Sequence, residues 1–93
     1  MNFKMVKAIR VKALPAHRLE VVFSDGSGGV ADLTDFVFAG GEMVEPLKDE
    51  AYFARVFIEM GVPTWPNGCD FDAINMRMRM EAAGALHPMD AAA

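Results

Sequence analysis

Alternating apolar and polar residues in the first third of the chain predict an antiparallel sheet. Residues 5–14 form a strand-like run rich in β-branched and apolar residues, and residues 18–24 alternate regularly. Such alternation is typical of a strand with one buried and one wet face. A glycine-rich turn at 25–29 leads to a short third strand at 30–33. We therefore expect the first three strands to form an antiparallel meander.

The middle of the chain predicts two short helices and two more strands. Residues 36–39 and 50–54 are each long enough for a single helical turn, and Asp49 is a suitable N-cap for the second. A strand is predicted at 55–60. A last short strand at 64–65 is cut off by a proline, which cannot donate to a strand ladder.

The final predicted element is an amphipathic helix over residues 71–83. Asp70 is the expected N-cap, and Gly84 is the expected residue after the C-cap. The helix is apolar on two sides, so it should be covered on two sides. We expect one side to pack on the sheet and the other, which carries Met76 and Met80, to meet another chain.

Taken together, these elements predict an α+β fold. It comprises an antiparallel sheet of four to five short strands, two single-turn helices, and a C-terminal amphipathic helix packed on the sheet. The 93 residues suffice for one domain. We expect residues 1–93 to form that domain, with a core of about 5–84 and a flexible tail at 85–93.

The apolar content favours a protein partner. Hydrophobic residues make up 53% of the chain, above the usual range of about 45–50%, and the mean hydropathy is +0.17. The predicted interface is Met76 and Met80, flanked by Arg77 and Arg79. Trp65 is either an anchor for a partner or the plug of the small core. The expected partner is a second copy or another small protein.

The number of cysteines and the length of the apolar runs indicate the cellular compartment that we expect for the protein. The one cysteine excludes an internal disulfide, which suits a reducing cytoplasm. No apolar run approaches the roughly 20 residues that a membrane span requires, so no membrane association is predicted.

The charge is distributed unevenly along the chain, which raises the first alternative function. Residues 1–18 carry five basic residues and no acidic one, although the net charge is −4. A basic strand edge either binds nucleic acid or prevents the edge from pairing with other chains. A nucleic-acid-binding regulator would use Lys7, Arg10, Lys12 and Arg18. The strand at 5–14 lacks the aromatic side chains that stack on bases, so nucleic acid is the less favoured partner.

Candidate chemistry is concentrated in residues 64–71, and it is sparse. A small enzyme centred on the Asn67–Asp72 loop is the second alternative, with Cys69 close to a helix start that would stabilise a thiolate. A cysteine nucleophile also needs a base, and the chain offers only His17 and His87. No catalytic set, metal-ligand cluster or cofactor motif emerges, and the favoured function is a non-enzymatic interaction module.

The order of several short motifs resembles the bacterial DUF2442 family. The resemblance rests on an Asp-Gly turn, a Leu-x-Asp segment and a Trp-Pro-Asn-Gly-x-Asp segment within about residues 5–80. The motif residues with an expected structural role are Asp25, Gly26, Trp65, Pro66, Asn67, Gly68 and Asp70. The resemblance implies a small α+β domain and carries over no catalytic residue. Some members look like one half of a two-gene, toxin–antitoxin-like pair with another small protein.

Overall fold

The structure, a computed structural model, describes residues 6–89 and contains six strands and three α-helices over that range. The elements in chain order are β1 Ala8–Leu14, β2 Arg18–Phe23, β3 Ser27–Asp32, α1 Thr34–Phe38, a 3-10 helix Glu45–Lys48, α2 Glu50–Phe53, β4 Phe57–Glu59, β5 Val62–Thr64, α3 Ala73–Ala82 and β6 Leu86–Pro88.

The strands form two antiparallel sheets rather than the single sheet predicted. The larger sheet has the order β1-β2-β3-β6, and β4 and β5 form a separate two-stranded hairpin. The predicted meander of β1, β2 and β3 is confirmed, with Val11 opposite Val21 and Val21 opposite Gly29. The α+β class is likewise confirmed, since all the helices follow the β1–β3 meander and share one core cluster with it.

The core lies between the inner face of the larger sheet and the helical segments. Leu19, Val21 and Phe23 are fully buried, as their alternation along β2 predicts. They share one cluster with Leu47 and Phe53 of the short helices. Asp49 accepts a hydrogen bond from the backbone nitrogen of Ala51 at 3.0 Å, which confirms it as the N-cap of α2.

The chain after α3 folds back onto the sheet, where we expected a flexible tail from residue 85. Residues Leu86–Pro88 pair with β3, with His87 opposite Gly28. Glycine permits this approach: a Cβ at Gly29 would lie 2.0 Å from the carbonyl oxygen of Ala85. The expected tail is therefore wrong for 85–89, while 90–93 lie outside the described residues.

Helix α3 differs from the prediction in its start and in its orientation. Its N-cap is Asp72, which accepts a hydrogen bond from the Asn75 nitrogen at 2.8 Å, and not Asp70. Met76 and Met80 face the sheet and are buried, while Met78 is exposed. Because the helix carries methionines on both sides, its sequence alone does not determine which side packs inward.

Candidate interaction surface

Trp65 lies in the centre of the core and is fully buried. Its indole Nε1 donates a hydrogen bond of 2.8 Å to the carbonyl oxygen of Phe53. Its backbone nitrogen donates to the carbonyl oxygen of Cys69, also at 2.8 Å. Trp65 therefore joins α2 to the loop that precedes α3, and its side chain is not accessible as an anchor for a partner.

The loop after Trp65 is held by its own polar groups. The Asn67 side chain accepts a hydrogen bond from the Cys69 nitrogen at 3.1 Å and donates one of 2.9 Å to the Met43 carbonyl oxygen. Gly68 has φ of 89°, a conformation that favours glycine. The backbone of Asp70 forms an isolated antiparallel β-bridge with that of Thr64. That bridge keeps Asp70 in an extended conformation, so α3 begins later, after Asp72.

Of the four residues predicted to form an interface on α3, the two methionines are buried and the two arginines contact neighbouring side chains. Met76 and Met80 are buried in the core, so they are not available as an exposed surface. The Arg77 Nε donates to Asp25 Oδ2 at 2.9 Å, and the Arg79 guanidinium lies 5.5 Å from the centre of the Phe71 ring. The ion pair joins α3 to the turn between β2 and β3, 52 residues earlier in the chain.

Asp25 combines two structural roles at that turn. Its Oδ1 accepts hydrogen bonds from the nitrogen and the hydroxyl of Ser27, at 3.0 and 2.6 Å. Gly26 follows with φ of 88°. Burial alone would raise the pKa of Asp25, but the hydrogen bonds from Ser27 and the charge of Arg77 outweigh it and lower the pKa below 3.8. The carboxylate is thus held in its charged form by the folded structure.

The environment of Cys69 disfavours a thiolate. Its side chain is buried, and that burial raises the pKa of the thiol above its ordinary value, with a further contribution from the neighbouring charge of Asp70. A reactive cysteine needs the opposite arrangement, an accessible site with a lowered pKa.

His17 has a structural role that the sequence analysis missed. It is buried in the loop between β1 and β2, and its Nε2 lies 3.0 Å from the carbonyl oxygens of both Leu47 and Lys48. Since carbonyl oxygens only accept hydrogen bonds, Nε2 must carry the proton and donate. The ring also stacks edge-on against Phe38 and Phe53. His17 therefore fastens the first hairpin to the helical segment.

Residues 6–89 contain neither a metal-ligand cluster nor a membrane-spanning helix. No group of three His, Cys, Asp or Glu side chains there is arranged to hold a metal ion. None of the helices in this range combines the length and apolar character needed to cross a bilayer.

A shallow pocket of about 320 Å³ lies between the β4–β5 hairpin and the loop after Trp65. Phe57, Met60 and Pro66 are exposed at this pocket, and the buried Thr64 and Trp65 also line it. Val62, Gly68 and two acidic residues, Glu59 and Asp70, complete its lining. We call this feature the hairpin pocket. Its lining mixes apolar and acidic side chains, so it could receive an apolar side chain that is flanked by a basic one.

Met60 has the most unusual backbone environment at this pocket. Met60 and Gly61 form the two-residue loop between β4 and β5, with φ of 53° and 81°. Positive φ at both positions is typical of a type I′ turn, in which Asn or Gly is favoured at the first position. A bulky side chain is disfavoured there. Met60 nevertheless occupies it and is 91% exposed.

Two of the four basic residues of the first alternative lie on β1, the edge strand of the larger sheet. Arg10 and Lys12 are exposed on β1, Lys7 precedes that strand, and Arg18 is the first residue of β2, opposite Asp32 of β3. None of these four forms an ion pair with the described part of the chain; Arg18 instead donates to the Pro15 carbonyl oxygen. Their charges are thus available at the surface.

Comparison with known proteins identifies the family. A family model described as a protein of unknown function, DUF2442, matches residues 8–81 of the 93-residue chain. No curated protein and no solved structure matches it. The matched region contains the Asp-Gly turn at 25–26 and the segment 65–70, whereas β6 lies beyond it. Since the match covers far more than half of the sequence, the chain belongs to the DUF2442 family.

Proposed function

We propose that this protein is a non-enzymatic protein-binding module whose partner occupies the hairpin pocket. The observation that carries the proposal is Met60, which is 91% exposed in a left-handed backbone conformation. This arrangement costs stability and returns none: the backbone is disfavoured for a bulky residue, and the side chain buries almost no apolar surface. Residues that break local rules in this way are concentrated at functional sites.

The neighbouring residues support the same proposal. Phe57 is 40% exposed at the same pocket. Aromatic and methionine side chains are enriched at protein interfaces, where they fill pockets on the partner. The pocket floor is rigid, because Trp65 and the loop after it are fixed by hydrogen bonds to Phe53 and Cys69. A rigid floor limits the loss of conformational entropy on binding.

The chemistry of the same loop favours binding over catalysis. Cys69 is buried with a raised thiol pKa, and the His17 imidazole already donates to two backbone carbonyl groups. A thiol nucleophile paired with a histidine base is therefore poorly supported. The partner class we propose is another small protein, which is what the two-gene arrangement among some relatives would supply. A second copy of the chain is the alternative.

The test compares two double variants of the tagged protein. Phe57→Ser with Met60→Asn alters the hairpin pocket, whereas Phe38→Ser with Met78→Asn makes the same two replacements at exposed residues that do not line it. Light scattering over a range of concentrations measures self-association, and capture from the native lysate measures partner binding. We expect the pocket variant to lose the association that the wild type and the control variant retain. Equal association by all three proteins would exclude the pocket as the binding surface.

A further inference from the structure

The outer edge of β1 has almost no backbone partners within residues 6–89. β1 pairs with β2 on one side. On its other side, the described residues give β1 one backbone hydrogen bond, in which the Ala8 nitrogen donates to the Gly61 carbonyl oxygen at 2.8 Å. Beyond Ala8, residues 9–14 form an edge that can accept an additional strand. None of residues 9–14 lines the hairpin pocket, so either surface can fail its test without deciding the other.

The charge on this edge is of one sign. Arg10 and Lys12 are two residues apart on β1, so their side chains lie on the same, outward face of the sheet. Glu20, directly opposite Lys12 on β2, is the one acidic residue paired with the strand. The side chains between and beyond the two cations, Val11 and Ala13, lie on the inner face and are only partly buried.

A second copy of the chain is a poor occupant for this edge. Two β1 strands paired antiparallel about Val11 would place Arg10 opposite Lys12 of the second copy. Shifting the register by two residues in either direction would place Arg10 opposite Arg10, or Lys12 opposite Lys12. Each of these three registers, which give the longest overlap of the two strands, therefore pairs like charges, and like-charge pairs destabilise a strand pair. The lysine and arginine thus disfavour self-pairing in these registers while leaving the edge open to a complementary strand.

We propose that β1 binds an extended segment of a partner protein that carries Asp or Glu at alternate positions. Added as an antiparallel strand, such a segment would place its acidic side chains beside Arg10 and Lys12 on the outer face. Its intervening apolar side chains would cover Val11 and Ala13 on the inner face. Backbone hydrogen bonds supply affinity in this mode of recognition, and the alternating side chains supply specificity.

The test uses two fluorescein-labelled peptides of about eight residues, which match the length of β1. One peptide alternates Val with Glu and the other alternates Val with Lys. We expect fluorescence anisotropy at low salt to show the Glu peptide binding about 2- to 25-fold more tightly, since each of two opposite-charge pairs contributes roughly 1.4- to fivefold. The preference should shrink at high salt. Hydrogen exchange should slow at residues 9–14.

Charge-reversal variants make the test specific to the strand. Arg10→Glu combined with Lys12→Glu should invert the preference toward the Lys peptide. Arg55→Glu combined with Arg79→Glu, which changes the net charge equally, should leave it as in the wild type. Equal binding of both peptides, or an unchanged preference after the β1 reversal, would overturn the proposal. Displacement of the Glu peptide by single-stranded DNA with protection of the same amides would assign the edge to nucleic acid and also overturn it.

Discussion

Replacement of Met60 by Asn should stabilise the protein. The left-handed conformation at φ 53° costs an ordinary L-residue about 1–2 kcal/mol, and Asn tolerates it better. No compensating loss of apolar burial is expected, because the Met60 side chain is already 91% exposed. We expect the free energy of unfolding to rise by about 0.5–1 kcal/mol, which for a domain of this size raises Tm by about 2–8 °C.

The assay is thermal unfolding followed by circular dichroism, with Met78→Asn as the control. Met78 is also exposed but lies within α3, where Asn has a lower helix propensity than Met and should cost up to about 0.5 kcal/mol. If Met60→Asn lowers Tm or leaves it unchanged, the assignment of a disfavoured turn residue is refuted. The proposed function adds that the stabilised variant should bind its partner less well.

Three further predictions concern the loop, the ion pair and the thiol. Trp65→Phe removes the indole donor to Phe53 and leaves a cavity, so urea unfolding should show a loss of roughly 2–3 kcal/mol; a loss below about 1 kcal/mol would contradict the central position of Trp65. Asp25 has a pKa lowered below 3.8, so its stabilising contribution is present above that value and is lost as pH falls through the lower folded pKa. Wild type should therefore lose stability below about pH 4 more steeply than Asp25→Asn, and parallel pH profiles would refute this. Cys69 is buried with a raised pKa and should react with iodoacetamide more slowly than glutathione until urea unfolds the protein; an equal rate in the folded state would show that the thiol is accessible.

Local patterns predicted the elements whose environment is determined locally. The alternation in β2 places Leu19, Val21 and Phe23 in the core, because one face of the strand is wet and the other is covered. Asp49 caps α2 because the free N–H groups of the first helical turn need an acceptor, and the side chain just before the helix can supply it. Both features depend on neighbours in sequence, and both could be recognised without the structure.

The features that the sequence did not predict depend on distant contacts. The orientation of α3 follows from its packing on β3 and from the ion pair between Arg77 and Asp25, and a helix with methionine on two sides fits the core either way. Strand β6 exists because Gly28 and Gly29 leave room for it, although the same glycines suggested only a turn. The hairpin pocket was missed because Met60 was placed inside a predicted strand and not in the turn that follows it.

The opposite edge of the larger sheet sets a limit on stoichiometry. Strand β6 is three residues long and ends in Pro88, which has no N–H to offer an incoming strand. Extension of the sheet is thus strongly favoured on the β1 side. Because open-ended polymers grow only when each subunit offers two complementary edges, strand addition to this domain should stop after one step. Complexes formed through the sheet should therefore contain one partner strand per domain and remain discrete at any concentration.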